Sequence, residues 1–213
     1  MAKDLIIWGA GGHARVVTVA VYKEDVFWIC GYLDDVHPEM HGTDFMHHRI
    51  RGGKEKLDSL RRDDFRYMFI AIGDNEARMR LAKTSREHGF ELAIIVHPHA
   101  IATERRGIGG GTVIMAGAVI QPGCTIGENV IINTSATVDH ECIIEDGVHI
   151  APGAHLAGRV TVECGTLIGI GAVVITGVQI GTGSIIGAGA VVLRDVPSGV
   201  VCYGNPARVV RDR

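Results

Sequence analysis

The sequence predicts a small α/β domain with a parallel sheet, followed by a parallel β-solenoid. Two observations predict this: short apolar runs alternate with helix-like segments over the first hundred residues or so, and a strict six-residue repeat begins at Ile108. We place the domains at residues 1–100 and 101–213. Of the 213 residues, 46% are hydrophobic, enough for one or two ordinary cores.

The first domain has the Rossmann-like βαβ pattern of a small parallel sheet. Each apolar run has the length of a strand, and helix-like segments follow two of them. In chain order we predict strand 5–8, turn 9–14, helix 14–22, strand 27–33, strand 67–72 and helix 75–88. The histidines of the polar stretch between these elements, His37, His41, His47 and His48, are interpreted as loop residues.

A glycine-rich turn, Gly9-Ala10-Gly11-Gly12-His13-Ala14, lies between the first strand and the first helix. Glycines let the backbone approach a ligand closely, and a helix N-terminus attracts anions. We therefore interpret the turn as a phosphate or nucleotide site, with a purely structural tight turn as the alternative. The second strand ends in Leu33-Asp34-Asp35, where a mononucleotide-binding half would place its ribose or sugar contacts.

In the second domain an aliphatic residue occupies every sixth position without a gap, and a small or β-branched residue usually follows four positions later. This period suits a triangular solenoid with three six-residue units per coil. The aliphatics should form the core, and glycines such as Gly127, Gly169, Gly181 and Gly187 should form the corners. The aliphatic series is Ile108, Ile114, Ile120, Ile126, Ile132, Val138, Ile144, Ile150, Leu156, Val162, Ile168, Val174, Ile180, Ile186 and Val192.

Composition argues against several classes of function. A net charge of -3 gives no general attraction for nucleic acid or anionic lipid. The five cysteines are an odd number without CxxC pairs, so we expect neither a disulfide framework nor a zinc site. No run is apolar enough to span a membrane and the start lacks a signal-peptide pattern, so we expect a cytoplasmic protein.

Over essentially its whole length, the chain resembles the bacterial sugar O- and N-acyltransferase family. The resemblance lies in the turn at residues 7–13, the Leu33-Asp34-Asp35 strand end, the segment Ala71-Ile72-Gly73-Asp74-Asn75-Glu76 and the hexapeptide repeat. It implies a left-handed β-helix. It also implies transfer of acetyl from acetyl-CoA to the 4-amino group of a nucleotide-linked 4-amino-4,6-dideoxyhexose, with UDP expected rather than GDP.

The most specific resemblance is the segment from Ile132 to Cys142. It implies that His140 is the general base and that Glu141 orients its imidazole. Histidine suits this task because its ordinary pKa of about 6.5 leaves neutral imidazole available at working pH. The family also implies that His149 contacts the thioester region of acetyl-CoA, and that the Gly158 N–H holds the carbonyl as negative charge develops.

The remaining implied contacts belong to the two substrates. Acetyl-CoA would run past Ile170 and Ala188 toward the tail at residues 203–208. The family forms homotrimers with active sites between adjacent β-helices, so a monomer should be inactive. The implied contacts to the nucleotide sugar are Gly11, Gly12, His13, Asp34, Asp35, Gly73 and Asn133.

Four other interpretations remain open. An O-acetyltransferase acting on sialic acid or another sugar hydroxyl could use the same histidine and glutamate. The glycine turn also fits the GxGxxA form of a dinucleotide-dependent oxidoreductase. A non-catalytic trimeric scaffold would leave His140 with a structural role. A metal-dependent carbonic anhydrase is disfavoured, because His140, His149 and His155 do not have the spacing of about eighteen residues expected for one coil.

Overall fold

The computed structural model describes residues 2–102 and 107–213. The chain divides into two compact units, Met1–His97 and Pro98–Arg213. The fold class predicted from the sequence, an α/β domain followed by a left-handed parallel β-helix, is confirmed.

The first unit is built around a sheet with the strand order β3-β4-β2-β1-β5-β6. Strand β1 pairs in parallel with β2 and β5, and β3 pairs antiparallel with β4. The strands are β1 Lys3–Trp8, β2 Phe27–Leu33, β3 Asp44–Phe45, β4 His48–Gly52, β5 Tyr67–Ile70 and β6 Glu91–Leu92, with the short β7 at Ile95–Val96. The helices are α1 Gly12–Glu24, α2 Leu57–Arg62 and α3 Asn75–Glu87, with 3-10 turns at Pro38–Met40 and Lys54–Lys56.

Helix α1 follows β1 after the glycine turn. Its apolar residues recur on one face, which packs against the core. Ala14, Val17 and Val21 are buried on that face. The βαβ prediction is therefore confirmed, with α1 beginning two residues earlier than expected. The hairpin β3–β4 and helix α2 were not predicted, and His48, interpreted as a loop residue, begins β4 and contacts the rings of Tyr22 and Trp28.

The second unit is a β-helix built mainly of two-residue strands, in which one residue faces outward and one aliphatic faces inward; the last two strands are longer. Strands one coil apart pair in parallel with partners 18 residues apart, such as Thr137 with His155. The strands are β8 Ile101–Ala102, β9 Val113–Ile114, β10 Val119–Ile120, β11 Thr125–Ile126, β12 Ile131–Ile132, β13 Thr137–Val138, β14 Ile143–Ile144, β15 His149–Ile150, β16 His155–Leu156, β17 Thr161–Val162, β18 Leu167–Ile168, β19 Val173–Val174, β20 Gln179–Ile180, β21 Ile185–Ile186, β22 Val191–Val192, β23 Val200–Gly204 and β24 Ala207–Asp212.

These strands form three faces. The first face contains β9, β12, β15, β18, β21 and β23, with β24 antiparallel at its end; the second contains β8, β10, β13, β16, β19 and β22; the third contains β11, β14, β17 and β20. We call the turn between the first and second faces the first corner, and the turn between the second and third faces the second corner. In a triangular coil the second corner lies opposite the first face, with the core between them.

The core of the β-helix is the predicted aliphatic series. All fifteen side chains are buried, none more than 8% exposed. The predicted small residues between them are buried as well, except Cys124, which is partly exposed. All five cysteines are free thiols.

The turn residues with positive φ recur every six positions from Gly111 to Gly189. Ten of these residues are glycine; the exceptions are Asn129, Ser135, Glu141 and Arg159. The glycines predicted at the corners do lie in these turns, but two positions before the residue with positive φ, and they have a different role. A Cβ on Gly127 would lie 2.7 Å from the Asp146 backbone nitrogen, so close packing of coils, rather than φ, requires glycine there.

Candidate functional site

An open cavity of about 240 Å³ lies at the carboxyl ends of β1, β2 and β5. Its lining includes Gly11, Gly12, His13, Asp34 and Gly73, five of the residues predicted to contact the nucleotide sugar. These residues come from three separate segments of the chain, which the parallel strand order brings to one edge of the sheet. The edge is where ligands of open α/β sheets bind.

The His13 imidazole borders this cavity as a neutral group. Its Nε2 atom is buried without a hydrogen-bond partner among the described residues. Burial and, to a smaller extent, the nearby guanidinium of Arg78 lower the pKa of His13 to about 4. A buried polar atom without a partner is costly, and a ligand in the cavity is one group that could satisfy it.

Arg78 is a buried cation behind the cavity wall, and the sequence analysis missed it. Its Nη1 donates to the carbonyl oxygens of Ile72 and Gly73 at 3.1 Å, and its Nη2 donates to Asn75 Oδ1 at 2.9 Å. Burial lowers the pKa of Arg78 to about 10, while Asp74 opposes that shift. The side chain therefore stays charged at neutral pH and adds positive potential where an anion would bind.

The two aspartates after β2 differ in their contacts. Asp34 Oδ2 accepts from the Ala10 N–H at 3.1 Å, which holds the glycine turn to the end of β2. Asp35 was predicted as a substrate contact, but it does not line the cavity. Its oxygens accept from the Trp8 indole N–H at 2.9 Å and the Lys54 N–H at 2.7 Å. These two bonds hold the carboxylate within the first unit, away from the cavity.

At the second corner of the β-helix, His140 and Glu141 form a hydrogen-bonded pair. The His140 Nδ1 lies 3.0 Å from Glu141 Oε2, and because an ionised carboxylate only accepts, Nδ1 carries the hydrogen. The Nε2 atom of the neutral ring then holds a lone pair, as a base requires. The His140 side chain is 49% exposed, so a substrate can reach it.

Gly158 lies one coil below His140 and supports its ring. A Cβ on Gly158 would lie 2.5 Å from both Cε1 and Nε2 of the imidazole, so only glycine leaves room for the ring in this position. The Gly158 carbonyl accepts from Thr176 Oγ1 at 2.6 Å. Its N–H has no acceptor within the described part of the chain.

Asn133, at the first corner, and His149, on the first face, form a second group. Asn133 Nδ2 donates to His149 Nε2 at 3.1 Å, so the neutral imidazole carries its hydrogen on Nδ1. The Thr134 N–H fixes the other end of the amide by donating to Asn133 Oδ1 at 2.8 Å. His149 lies across the core from His140, so the structure does not bring all predicted catalytic and cofactor residues together within one chain.

Ile170 and Ala188 are stacked at the first corner, beside the face that carries His149. The Gly189 N–H donates to the Ile170 carbonyl at 2.8 Å, which joins the two coils at this turn. The Ile170 side chain is 61% exposed, an unusual exposure for an isoleucine. The two residues form an apolar ridge on the surface of the unit.

Among residues 2–102 and 107–213 there is no group of three or more His, Cys, Asp or Glu side chains placed to hold a metal ion. No helix in the described ranges is long and apolar enough to cross a membrane.

Comparison with known families divides the chain in the same way as the fold. Residues 4–85 match the family described as PglD N-terminal domain. Residues 107–140 and 159–194 match the family described as bacterial transferase hexapeptide (six repeats). The chain is also 37% identical over 116 residues to UDP-N-acetylbacillosamine N-acetyltransferase of Bacillus subtilis (strain 168); the match covers 54% of this chain and 52% of that enzyme, about half the length of each.

Solved structures match over nearly the full length. A histidine-to-asparagine variant of perosamine N-acetyltransferase from Caulobacter crescentus, in complex with CoA and GDP-perosamine, is 36% identical, with a TM-score of 0.94 and 100% and 99% of the two chains covered. A histidine-to-alanine variant of GDP-perosamine N-acetyltransferase from the same organism matches equally well. The acetyltransferase domain of PglB from Neisseria gonorrhoeae FA1090, in complex with acetyl coenzyme A, is 36% identical, with a TM-score of 0.91 and 99% and 100% covered.

Proposed function

Since this chain belongs to the family of sugar N-acetyltransferases that join a PglD N-terminal domain to hexapeptide repeats, we propose that it acetylates a nucleotide-linked amino sugar. The acetyl donor is acetyl-CoA, and the acceptor is the 4-amino group of a 4-amino-4,6-dideoxyhexose carried on UDP. The proposal rests above all on the His140–Glu141 pair, which presents an accessible imidazole lone pair at the second corner.

His140 acts as the general base in this reaction. As the sugar nitrogen attacks the thioester carbonyl carbon, His140 Nε2 accepts the proton that the nitrogen loses. Glu141 holds the imidazole through Nδ1 and stabilises the imidazolium that forms. The Gly158 N–H donates to the developing oxyanion. Collapse of the oxyanion breaks the C–S bond, and the proton held by His140 passes to sulfur, so the products are an amide and free CoA.

We further propose that the active site is completed by a second copy of the chain in a homotrimer. His140 and His149 lie on opposite sides of the core, so the two side chains can share a site only across neighbouring copies. Exposed aliphatics on and beside the second face support this assembly: Val173 is 39%, Ile175 40% and Leu193 44% exposed. Another copy would cover this apolar surface.

The cavity of the first unit is the proposed site of the nucleotide diphosphate. The N-terminus of α1 directs backbone N–H groups toward anions, and Arg78 adds a buried positive charge behind Gly73. We propose that the reaction takes place in the cytoplasm, where nucleotide sugars and acetyl-CoA are made, and supplies acetamido sugars for polysaccharide synthesis.

The test is release of CoA thiol from acetyl-CoA with a panel of UDP- and GDP-linked 4-amino-4,6-dideoxy sugars and their 4-hydroxy counterparts. We expect rapid release with a UDP-linked amine and loss of release in His140→Ala. His88→Ala is the matched control, since His88 also forms a surface pair with a carboxylate, Asp58 at 3.7 Å, but lies in the first unit. Faster turnover of hydroxy acceptors would establish an O-acetyltransferase instead, and no turnover of any acceptor would contradict the proposal.

A further inference from the structure

Two of the four turn residues with positive φ at the second corner are not glycine. Gly123, Glu141, Arg159 and Gly177 occupy this turn in successive coils, with φ of 77°, 60°, 60° and 75°. A residue with a Cβ in the left-handed region is strained relative to glycine. Two non-glycine residues are thus stacked in consecutive coils, at the corner that carries His140. Strain of this kind is concentrated at functional sites.

The function proposed above accounts for Glu141, but it leaves Arg159 without a role. Arg159 Nη1 lies 3.9 Å from Glu141 Oε2, the same oxygen that accepts from His140 Nδ1 at 3.0 Å. The Arg159 N–H also donates to the His140 carbonyl oxygen at 2.9 Å. Arg159 therefore contacts both members of the pair.

The ion pair does not explain why the strain is tolerated. The Arg159 and Glu141 side chains are 61% and 63% exposed, and exposed ion pairs contribute little to folding stability. A glycine at position 159 would remove the strain at little cost in folding. A left-handed arginine beside the proposed base points to a contribution to the reaction instead.

We propose that Arg159 is a positioning residue for the His140–Glu141 pair. Its guanidinium restrains the Glu141 carboxylate in the orientation that bonds Nδ1, and its positive charge opposes protonation of the imidazole. This inference rests on the proposed acetyl transfer, in which His140 must be neutral to accept a proton.

The charges around His140 give the direction of the effect. Asp139 and Glu141 both favour the imidazolium, since Asp139 Oδ1 accepts from the His140 N–H at 2.8 Å and Glu141 bonds the ring. Arg159 is the cation that faces them, with Nη1 within about 7 Å of Nδ1 by the two distances given above. At that separation in a water-like dielectric, removing the cation should raise the pH at which the His140 imidazole loses its proton by about half a unit.

The experiment compares wild type with Arg159→Gly, Arg159→Lys and Ser135→Gly. In Arg159→Gly the acid limb of kcat/KM should move up by about half a pH unit. Its rate at pH 6 should fall about two- to threefold, with unchanged KM for both substrates and a Tm that is equal or higher. Arg159→Lys should keep most of the wild-type profile. Ser135→Gly removes a left-handed non-glycine residue at the first corner, so it should leave the profile unchanged.

A second measurement does not depend on activity. In protein labelled at histidine, the His140 ring signals, assigned by their loss in His140→Ala, should titrate about half a pH unit higher in Arg159→Gly. An unshifted titration would overturn the inference even if no acceptor were found. A raised KM with an unmoved acid limb would also overturn it, because Arg159 would then contact a substrate. Failure of wild type to transfer acetyl to any acceptor would instead contradict the proposed function, and the ring titration would still decide the role of Arg159.

Discussion

Replacing Gly158 with alanine should slow acetyl transfer by about 100-fold without unfolding the β-helix. The added Cβ would lie 2.5 Å from Cε1 and Nε2 of His140, whereas carbon atoms in ordinary contact are about 3.5–4.0 Å apart. The imidazole must therefore move by about 1 Å. A displacement of that size in a catalytic group costs about 100-fold in rate.

The fold should tolerate this substitution. Gly158 does not have a positive φ, so alanine fits its backbone conformation. The His140 ring is half exposed and can move outward, which limits the overpacking cost to about 1 kcal/mol, the low end for added core methyl groups. Alanine also retains the backbone N–H, so the loss of rate cannot come from a missing donor.

Steady-state kcat from thiol release, together with Tm from circular dichroism, tests the argument. The decisive control is a double-mutant cycle with His140→Ala. The His140→Ala variant lacks the imidazole ring that the added Cβ would displace. Gly158→Ala should then have almost no further effect. An equal loss in both backgrounds, or a single variant within threefold of wild type, would refute the idea that Gly158 acts by seating the His140 ring.

Three other predictions follow from the burial and placement of side chains. The folded-state pKa of His13, about 4, lies below its unfolded value of about 6.5, so the unfolded chain binds more protons as the pH falls. The free energy of unfolding should therefore drop by about 2 kcal/mol from pH 7 to pH 5 in wild type, and by much less in His13→Gln. Urea titration followed by tryptophan fluorescence measures both. Ile150→Ala removes a side chain that is fully buried in the stack and should cost about 2–5 kcal/mol in unfolding free energy by circular dichroism; a loss under 1 kcal/mol would show that the coils collapse around the space. Co-expressed His140→Ala and His149→Ala chains should regain activity that neither has alone, since neighbouring copies can then supply one intact group each; no recovery in mixed assemblies would argue for a site within one chain.

The β-helix could be predicted almost completely because its core residues follow a local six-residue repeat in the sequence. Each aliphatic from Ile108 to Val192 faces inward for the same reason, so one period is enough to place all fifteen. The glycine turn was placed correctly for a similar reason, since it stands between a clear strand and a clear helix.

Other features depend on partners that are distant in sequence. Asp35 is directed by the Lys54 N–H, 19 residues away, and no local pattern indicates that bond. The hairpin β3–β4 and helix α2 are short elements whose stability comes from tertiary contacts. Arg78 carried a signal that could have been used: it occupies the buried face of α3, with Asn75 and Ala82, where an apolar residue is expected.

The spacing of 18 residues between stacked strands limits how the length of this protein can change. Removing one whole coil would shorten the β-helix by one layer and leave every later residue on its original face. Removing a single six-residue unit would instead rotate everything after it by one third of a turn, and would transfer the ridge of Ile170 and Ala188 to a different corner. Insertions and deletions in the second unit are therefore compatible with the present arrangement of faces only in whole coils.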